Sequence, residues 1–397
     1  MRHGMTEIVM VSRGDAKTRN LCPKGNGSLS AILPTVHAPW SKVKLGEVLR
    51  LFHGKAIRSS STGNCPVYGS NGVIGKCDTS LYDNAIIIGR VGAYCGSVAR
   101  EKGLFWASDN TIVCKAVDDV ADTDFCYYLL EVLHLNNYSG GTAQPLITQG
   151  IIKQIEVSLP PLPVQQRIAD ILSSYDDLIE NNRRRIAILE ETARLTYQKW
   201  FDGTDQTRTA TLGSICQTFG GGTPKTGVPE FWDGDIPWVV PTDITRNTSL
   251  ALLDTERKIT VLGLQKSSAK MLPANTILMT SRASVGYFGI ADFPVCTNQG
   301  FISIIPNNDS WRWYLLFNLM SRVEEIRSNA KGSTFPEISR ARFRSMEIIV
   351  PNDDVLIEFN VSIEPLMQQV RTLAKQNKTL ASIRDMLLPR LMKEIRN

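Results

Sequence analysis

The chain has 397 residues, 43% hydrophobic and 21% charged, with a formal net charge of +5 at pH 7. That length suits two domains that each bury a core, and the composition excludes a chain disordered throughout. No run approaches eighteen consecutive apolar residues and the N-terminus lacks the apolar stretch of a secretory leader, so neither a membrane span nor export is expected, and a cytoplasmic location is.

In chain order, residues 1–40 read as a mildly basic, poorly ordered extension, with no apolar periodicity of their own. Residues 41–160 read as a first globular domain. "AIIIGRV" and "NTIVCKAV" have the run length and β-branched content of buried strands, and "TDFCYYLLEVLHLNNY" reads as a helix. Residues 161–203 read as one long helix. Pro163 suits a first turn, where its missing N–H costs nothing, and neither Pro nor Gly recurs until Gly203. Ile168, Tyr175, Asn182 and Leu189 recur at intervals of seven, as do Leu172, Ile179 and Ile186. That alternation of four and three is the seam of a helix packed along another helix, roughly 55–60 Å in length.

Residues 208–351 read as a second domain, with strands at "TILMTS" and "FISIIP" and a helix at "SWRWYLLFNLMSRVEEIRSNA". Residues 355–397 read as a second long helix. Ile363, Val370 and Asn377 recur at seven, as do Leu366, Leu373 and Leu380, and Pro389 is expected to end or kink it. Each seam carries one Asn, a residue that costs stability there and fixes register. The two helices are therefore expected to pack on each other, antiparallel.

The chain is a duplication. "KLGEVLRLFHG" (44–54) corresponds to "TLGSICQTFGG" (211–221), and "AIIIGRVGAYCGSVA" (85–99) to "TILMTSRASVGYFGIA" (276–291). "GGTAQPLI" (140–147) corresponds to "KGSTFPEI" (331–338), and "IEVSLP" (155–160) to "MEIIVP" (346–351). The expected fold is α+β: two similar domains in tandem, each followed by a long helix, related by a pseudo-twofold across the helix pair.

Catalytic signatures are missing. There is no phosphate-binding GxxxxGK[ST] loop, no GxSxG elbow, and no amino-methyltransferase or GxGxxG cofactor motif. The eight cysteines form no CxxC pair and there are four histidines, so no metal site is expected. Asp243 with Glu256, Arg257 and Lys258 loosely resembles a nuclease pattern of carboxylates and lysine, a spacing common by chance.

"GGGTPKTGVPEFWDGDIPWVVPTDI" (220–244) resembles a target recognition domain of the type I restriction–modification specificity subunits. "TSRASVGYFGI", "GSTFPEIS" and "LPPLPVQQRIADIL" with its helix resemble the same family, over roughly residues 42–395. The resemblance implies a non-catalytic subunit whose two domains each read half of a bipartite double-stranded DNA target. The helix pair would set the gap and dock two methyltransferase subunits, which two restriction-motor subunits join. S-adenosylmethionine, ATP and magnesium would belong to those partners, with no cofactor on this chain. The first domain departs from the GxTP signature, reading "HGKAIRSSSTGNCPVYGSNGVIG", so unlike half-sites are expected. Two rival readings stay open: a stand-alone nuclease using the acidic loop near Glu256, and a coiled-coil scaffold with no part in DNA reading.

Base readout needs Arg or Lys for guanine and Asn or Gln for adenine; phosphate contacts need basic, hydroxyl or backbone N–H groups. Candidates are Lys55, Arg58, Thr223 and Lys225 in the first loop of each domain, and Arg90 and Arg282, which occupy matching places in the sequence repeat. Thr142 and Gln144, with Lys331, Ser333 and Thr334, lie in the turn before each long helix. The aromatic pairs and triplets Tyr127–Tyr128 and Trp311–Trp313–Tyr314 are expected in helix cores, since stacking platforms suit single strands.

Overall fold

A computed structural model describes residues 40–393 except 59, 61, 141–144, 202–207 and 333–335. The proposed extension over 1–40 lies outside the described residues but for Trp40, as do residues 394–397 of the C-terminal helix.

Two helices organise the molecule, Leu162–Phe201 and Asp353–Leu391. They run antiparallel along their lengths. Arg384 bonds Asp176, Asn182 Nδ2 donates to Asn377 Oδ1 at 3.0 Å, and the Trp200 and Phe359 rings lie 6.3 Å apart. Asn377 Nδ2 also donates to the Ile179 carbonyl at 3.2 Å, so the two seam asparagines satisfy one another near the middle of the pair. Ile168, Leu172, Ile179, Asn182, Ile186, Ile363, Val370 and Leu373 are buried, while Tyr175, Leu189, Leu366, Asn377 and Leu380 are half-buried. The apolar stripe is wider than the seam. Ala169 and Tyr197 on the first helix and Met367 and Ala374 on the second are also buried, because each helix packs against domains as well as its partner, and the seam itself extends back from Leu172 to buried Gln165. Pro389 does not end the second helix, which runs two residues further, and Pro365 sits inside it. Pro365 deprives the Val361 carbonyl of its intrahelical donor, and Val361 is 71% exposed, so water can take the donor's place.

The first domain carries one six-stranded sheet, in the order Leu49–His53, Thr111–Ala116, Tyr82–Gly89, Val98–Ala107, Cys65–Gly69, Gly72–Cys77. The second carries two sheets. Five strands run in the order Cys216–Gly220, Phe301–Pro306, Ile277–Thr280, Phe288–Ala291, Ala251–Leu252, and three in the order Arg257–Ile259, Trp232–Val239, Cys296–Thr297. Short antiparallel pairs close each domain at the base of its helix, Ser41–Lys44 with Glu156–Leu159 and Thr209–Thr211 with Glu347–Ile349. The helices expected within the domains are each interrupted. His134, at φ 51°, ends Thr123–Leu133 before a short 3-10 turn. Arg322 separates Arg312–Ser321 from Val323–Ser328, its guanidinium bonding Glu325 and the Glu347 carbonyl.

Each domain's core continues into the helices. In the first, Phe125, Leu129 and Ile152 pack with Ile168, Leu172 and Leu391; in the second, Trp313, Tyr314 and Phe317 pack with Ala193, Tyr197 and Phe359. Each such side chain, fully buried, contributes about 1.5–3 kcal/mol. Polar ties add register. Tyr128 donates to Asp176 at 2.6 Å, and the Gln165 amide bonds the Asp122 N–H and the Pro160 carbonyl. Trp313 donates to Glu364 at 2.6 Å and Asn318 to the Tyr197 hydroxyl at 2.9 Å. Glu190, whose carboxyl is pushed up by burial, accepts from Ser249 and the Leu250 N–H. Tyr128, Trp313 and Tyr314 are thus core residues, each under 4% exposed.

Candidate nucleic-acid interface

The same two loops meet in each domain. In the first, the segment after Tyr82–Gly89 lies along the turn that precedes the long helix: Val91 bridges Leu146, the Ile147 N–H donates to the Arg90 carbonyl at 3.0 Å, and the Gly92 N–H to the Pro145 carbonyl at 3.1 Å. In the second, Arg282 bridges Glu337, the Ile338 N–H donates to the Ser281 carbonyl at 3.1 Å, and the Ala283 N–H to the Pro336 carbonyl at 2.9 Å.

This register corrects one expectation. The backbone equivalent of Arg90 is Ser281, and that of Arg282 is Val91, so the two arginines are one residue out of step. Matching identical letters shifted the repeat by one, whereas the ladder pairs Gly89 with Thr111 and Thr280 with Phe301. Neighbours in an extended segment face opposite ways, so the guanidiniums do not share a place. They differ in chemistry too. Arg282 Nη2 donates to Glu337 Oε1 at 2.9 Å, while the Arg90 side chain has no hydrogen bond or ion pair among the described residues. Lys331 is exposed, its backbone paired with that of Glu337. Thr142, Gln144, Ser333 and Thr334 lie outside the described residues.

The first loops are built alike. Gly54 and Gly221 pass so close to the opposing turn that a Cβ would lie 1.8 Å from the Ser108 carbonyl oxygen and 2.0 Å from that of Asn298. The following N–H groups, of Lys55 and Gly222, donate to the Ala107 and Thr297 carbonyls at 2.8 and 2.9 Å. An indole then holds each loop from below: Trp106 Nε1 donates to the Lys55 carbonyl at 2.8 Å and Trp238 Nε1 to the Gly222 carbonyl at 2.9 Å. Trp232 fixes the Lys225 carbonyl at 3.2 Å, and the Arg257 guanidinium stacks 3.7 Å above its ring. On this support Lys55, Arg58 and Lys225 are exposed, and Thr223 is half-buried, donating to Gln299 Oε1 at 2.5 Å. Gln299 belongs to none of the sequence motifs; its one signal there is a polar "TNQG" turn before a buried strand.

Between the domains, over the helix pair, lies a cleft of about 1190 Å³. Acidic and basic side chains interleave in its wall, Arg100 and Lys102 from the first domain, Arg246 and Asp254 from the second, Arg183 and Lys378 from the helices. The acidic loop that raised a nuclease reading does structural work. Asp243 Oδ2 accepts from the Val240 N–H at 2.8 Å and Oδ1 from the Glu256 N–H at 3.0 Å. Among the described residues, no three His, Cys, Asp or Glu side chains cluster to hold a metal ion, and no helix is long and apolar enough to cross a membrane.

Two copies of one α+β domain, mounted on an antiparallel helix pair, define a duplicated two-domain scaffold. The chain belongs to the family of the type I restriction modification DNA specificity domain, which matches residues 38–191 and again 205–370. It is similar to the type I restriction enzyme MjaIX specificity subunit of Methanocaldococcus jannaschii, 35% identical over 174 residues. That stretch is 43% of this chain and 40% of the relative, so the likeness spans less than half the relative's length. It is also similar to the HindI specificity subunit of Haemophilus influenzae, 23% identical over 62% of this chain and 70% of that protein. The crystal structure of a type I restriction–modification S subunit from M. genitalium shares the fold, with a TM-score of 0.59 at 20% identity, covering 91% of this chain and 98% of that one.

Proposed function

We propose that the chain is the non-catalytic DNA-specificity subunit of a type I restriction–modification complex. Each domain reads one half of a bipartite duplex target, and the helix pair sets the gap and docks two methyltransferase subunits. Two restriction-motor subunits complete the complex. S-adenosylmethionine, ATP and magnesium serve those partners, and the complex works in the cytoplasm. The observation that carries this reading is the duplication itself. The same loop pair recurs in both domains, together with a first loop that exposes Lys55 and Arg58 in one copy and Lys225 in the other, and each domain packs on the helix pair. Two similar but chemically unlike surfaces suit two unlike half-sites.

The test is co-expression with a type I methyltransferase subunit that forms a stable complex with the chain, followed by genome-wide mapping of methylated bases. A bipartite motif with two unlike halves and a fixed gap is the expected result. Four residues inserted into each long helix, at matched heights, add about 6 Å. Duplex DNA rises about 3.4 Å per base pair, so the gap should lengthen by one or two base pairs with both halves unchanged. An unchanged gap would refute the helices as spacer.

A further inference from the structure

The turn joining Cys296–Thr297 to Phe301–Pro306 is locked from within. The Asn298 N–H donates to the Val239 carbonyl at 3.0 Å, Asn298 Oδ1 accepts from the Gly300 N–H at 2.9 Å, and the Gly300 carbonyl accepts from the Ser281 N–H at 2.7 Å. Asn298 is thereby turned inward, and Gln299 is left exposed. Its carboxamide is nonetheless held. Thr223 donates to Oε1 at 2.5 Å from a loop fixed on both sides, at Gly222 by the Trp238 indole and at Lys225 by the Trp232 indole. The Gln299 amide nitrogen has no partner among the described residues. The result is a carboxamide presented at the surface with its acceptor end steered by a rigid hydroxyl and its donor end open. Exposed Lys225 lies on the same loop, where it suits a phosphate.

The major-groove edge of adenine offers an N6–H donor beside the N7 acceptor, the pattern that a glutamine amide meets with two hydrogen bonds. An amide carbonyl has two lone pairs, so the Thr223 hydroxyl leaves one for N6–H. We infer that Gln299 reads an adenine in the half-site of the second domain, with Thr223 as its positioning residue. This rests on the DNA-reading function proposed above. The first domain is built differently at the same place. There the turn presents exposed Asp109, an acceptor only, and Ala56 follows the indole-anchored Lys55 where Thr223 follows Gly222. It therefore has no carboxamide at the place of Gln299 and no hydroxyl at that of Thr223; the exposed amide of Asn110 stands one residue further on, at the place of Gly300.

The experiment maps the methylated motif of the complex formed with the methyltransferase subunit, for the wild type, Gln299→Ala, Thr223→Val and Thr223→Ser. Gln299→Ala should relax one adenine position in one half-site, losing about 5- to 150-fold of discrimination there, with the gap and the other half intact. Thr223→Val should keep the preferred base but blunt the preference, and Thr223→Ser, which restores the hydroxyl, should recover it. An unchanged motif in Gln299→Ala overturns the inference, as does relaxation at a base other than adenine. So does a uniform loss of methylation with every position retained, the mark of a phosphate contact. A wild-type complex with no bipartite motif overturns the underlying function, and this inference with it.

Discussion

The two domains share a plan and diverge at one strand. In the first, Val98–Ala107 runs unbroken for ten residues and pairs with Tyr82–Gly89 along one stretch and with Cys65–Gly69 along another, so the sheet is continuous. In the second, the same path is cut into Phe288–Ala291 and Cys296–Thr297, with Pro294 between them. Proline cannot donate to a ladder, and the sheet splits in two there. Yet both domains keep an indole under the first loop. At the parallel pair Val67–Trp106 the tryptophan is on one strand; at Trp238–Cys296 it is on the other. What duplication preserved is the hydrogen bond to the loop carbonyl, and the residue that supplies it has changed strands. The support under the loop is constant while the loop surface varies, as two readers of different sequences would require.

That comparison predicts unequal costs. Trp238 is 3% exposed and packs edge-on to Trp232 at 5.0 Å, whereas Trp106 is half-buried. Trp238→Ala should destabilise the second domain by about 3–5 kcal/mol. Trp106→Ala should cost the first about 1–2 kcal/mol. Urea unfolding followed by probes placed in each domain would measure both. Equal losses would mean that the two indoles are not doing the same job in different surroundings. Trp→Phe at either place, which keeps most of the ring but removes the donor, isolates the hydrogen bond at about 1 kcal/mol.

Periodicity made the helices legible, because a seam repeats and errors average out over forty residues. Local matches were less secure. Arg90 and Arg282 share a letter and a neighbourhood, and only strand register shows them one residue apart. Gln165 and Asn182 are polar yet buried, the first because a domain backbone meets its amide, the second because another asparagine does. Asn182 stands inside the seam, whereas Gln165 extends it one heptad back from Leu172, where a polar residue in the first turn gives no sign of the repeat. Gln299 belongs to no motif and no period; its meaning comes from Thr223, 76 residues away in sequence. The breaks at His134 and Arg322 were hidden by apolar patterns that continue past them on either side.

The helix pair belongs to both domains, and its centre offers a second test. Asn182→Ala leaves the Asn377 amide with one partner fewer at a half-buried site and should cost about 1–3 kcal/mol. Replacing both by leucine removes the polar pair together and should recover most of that loss, at the expense of a single register. A double-mutant cycle by thermal unfolding reads the coupling. Strictly additive losses would show that the two asparagines act independently.

The smallest effects separate the two arginines. The Arg282–Glu337 pair leaves its side chains 50% and 42% exposed, so Glu337→Gln should change stability by less than ~1 kcal/mol. Its effect on DNA should be clearer, because Glu337 neutralises Arg282 while the Arg90 side chain has no hydrogen bond or ion pair among the described residues. If Arg90 meets a phosphate, Arg90→Ala should lower the slope of log affinity against log salt by about 1. Arg282→Ala should lower it by less, since part of that charge is already compensated. Glu337→Gln should raise affinity at low salt, and Arg282→Ala made in the Glu337→Gln background should then cost as much slope as Arg90→Ala does alone. These comparisons use the complex with the methyltransferase subunit and a duplex carrying the mapped motif. Equal slopes for the two arginine variants in the wild-type background would show that the ion pair does not hold Arg282 back, and that the asymmetry between the domains stops at the backbone.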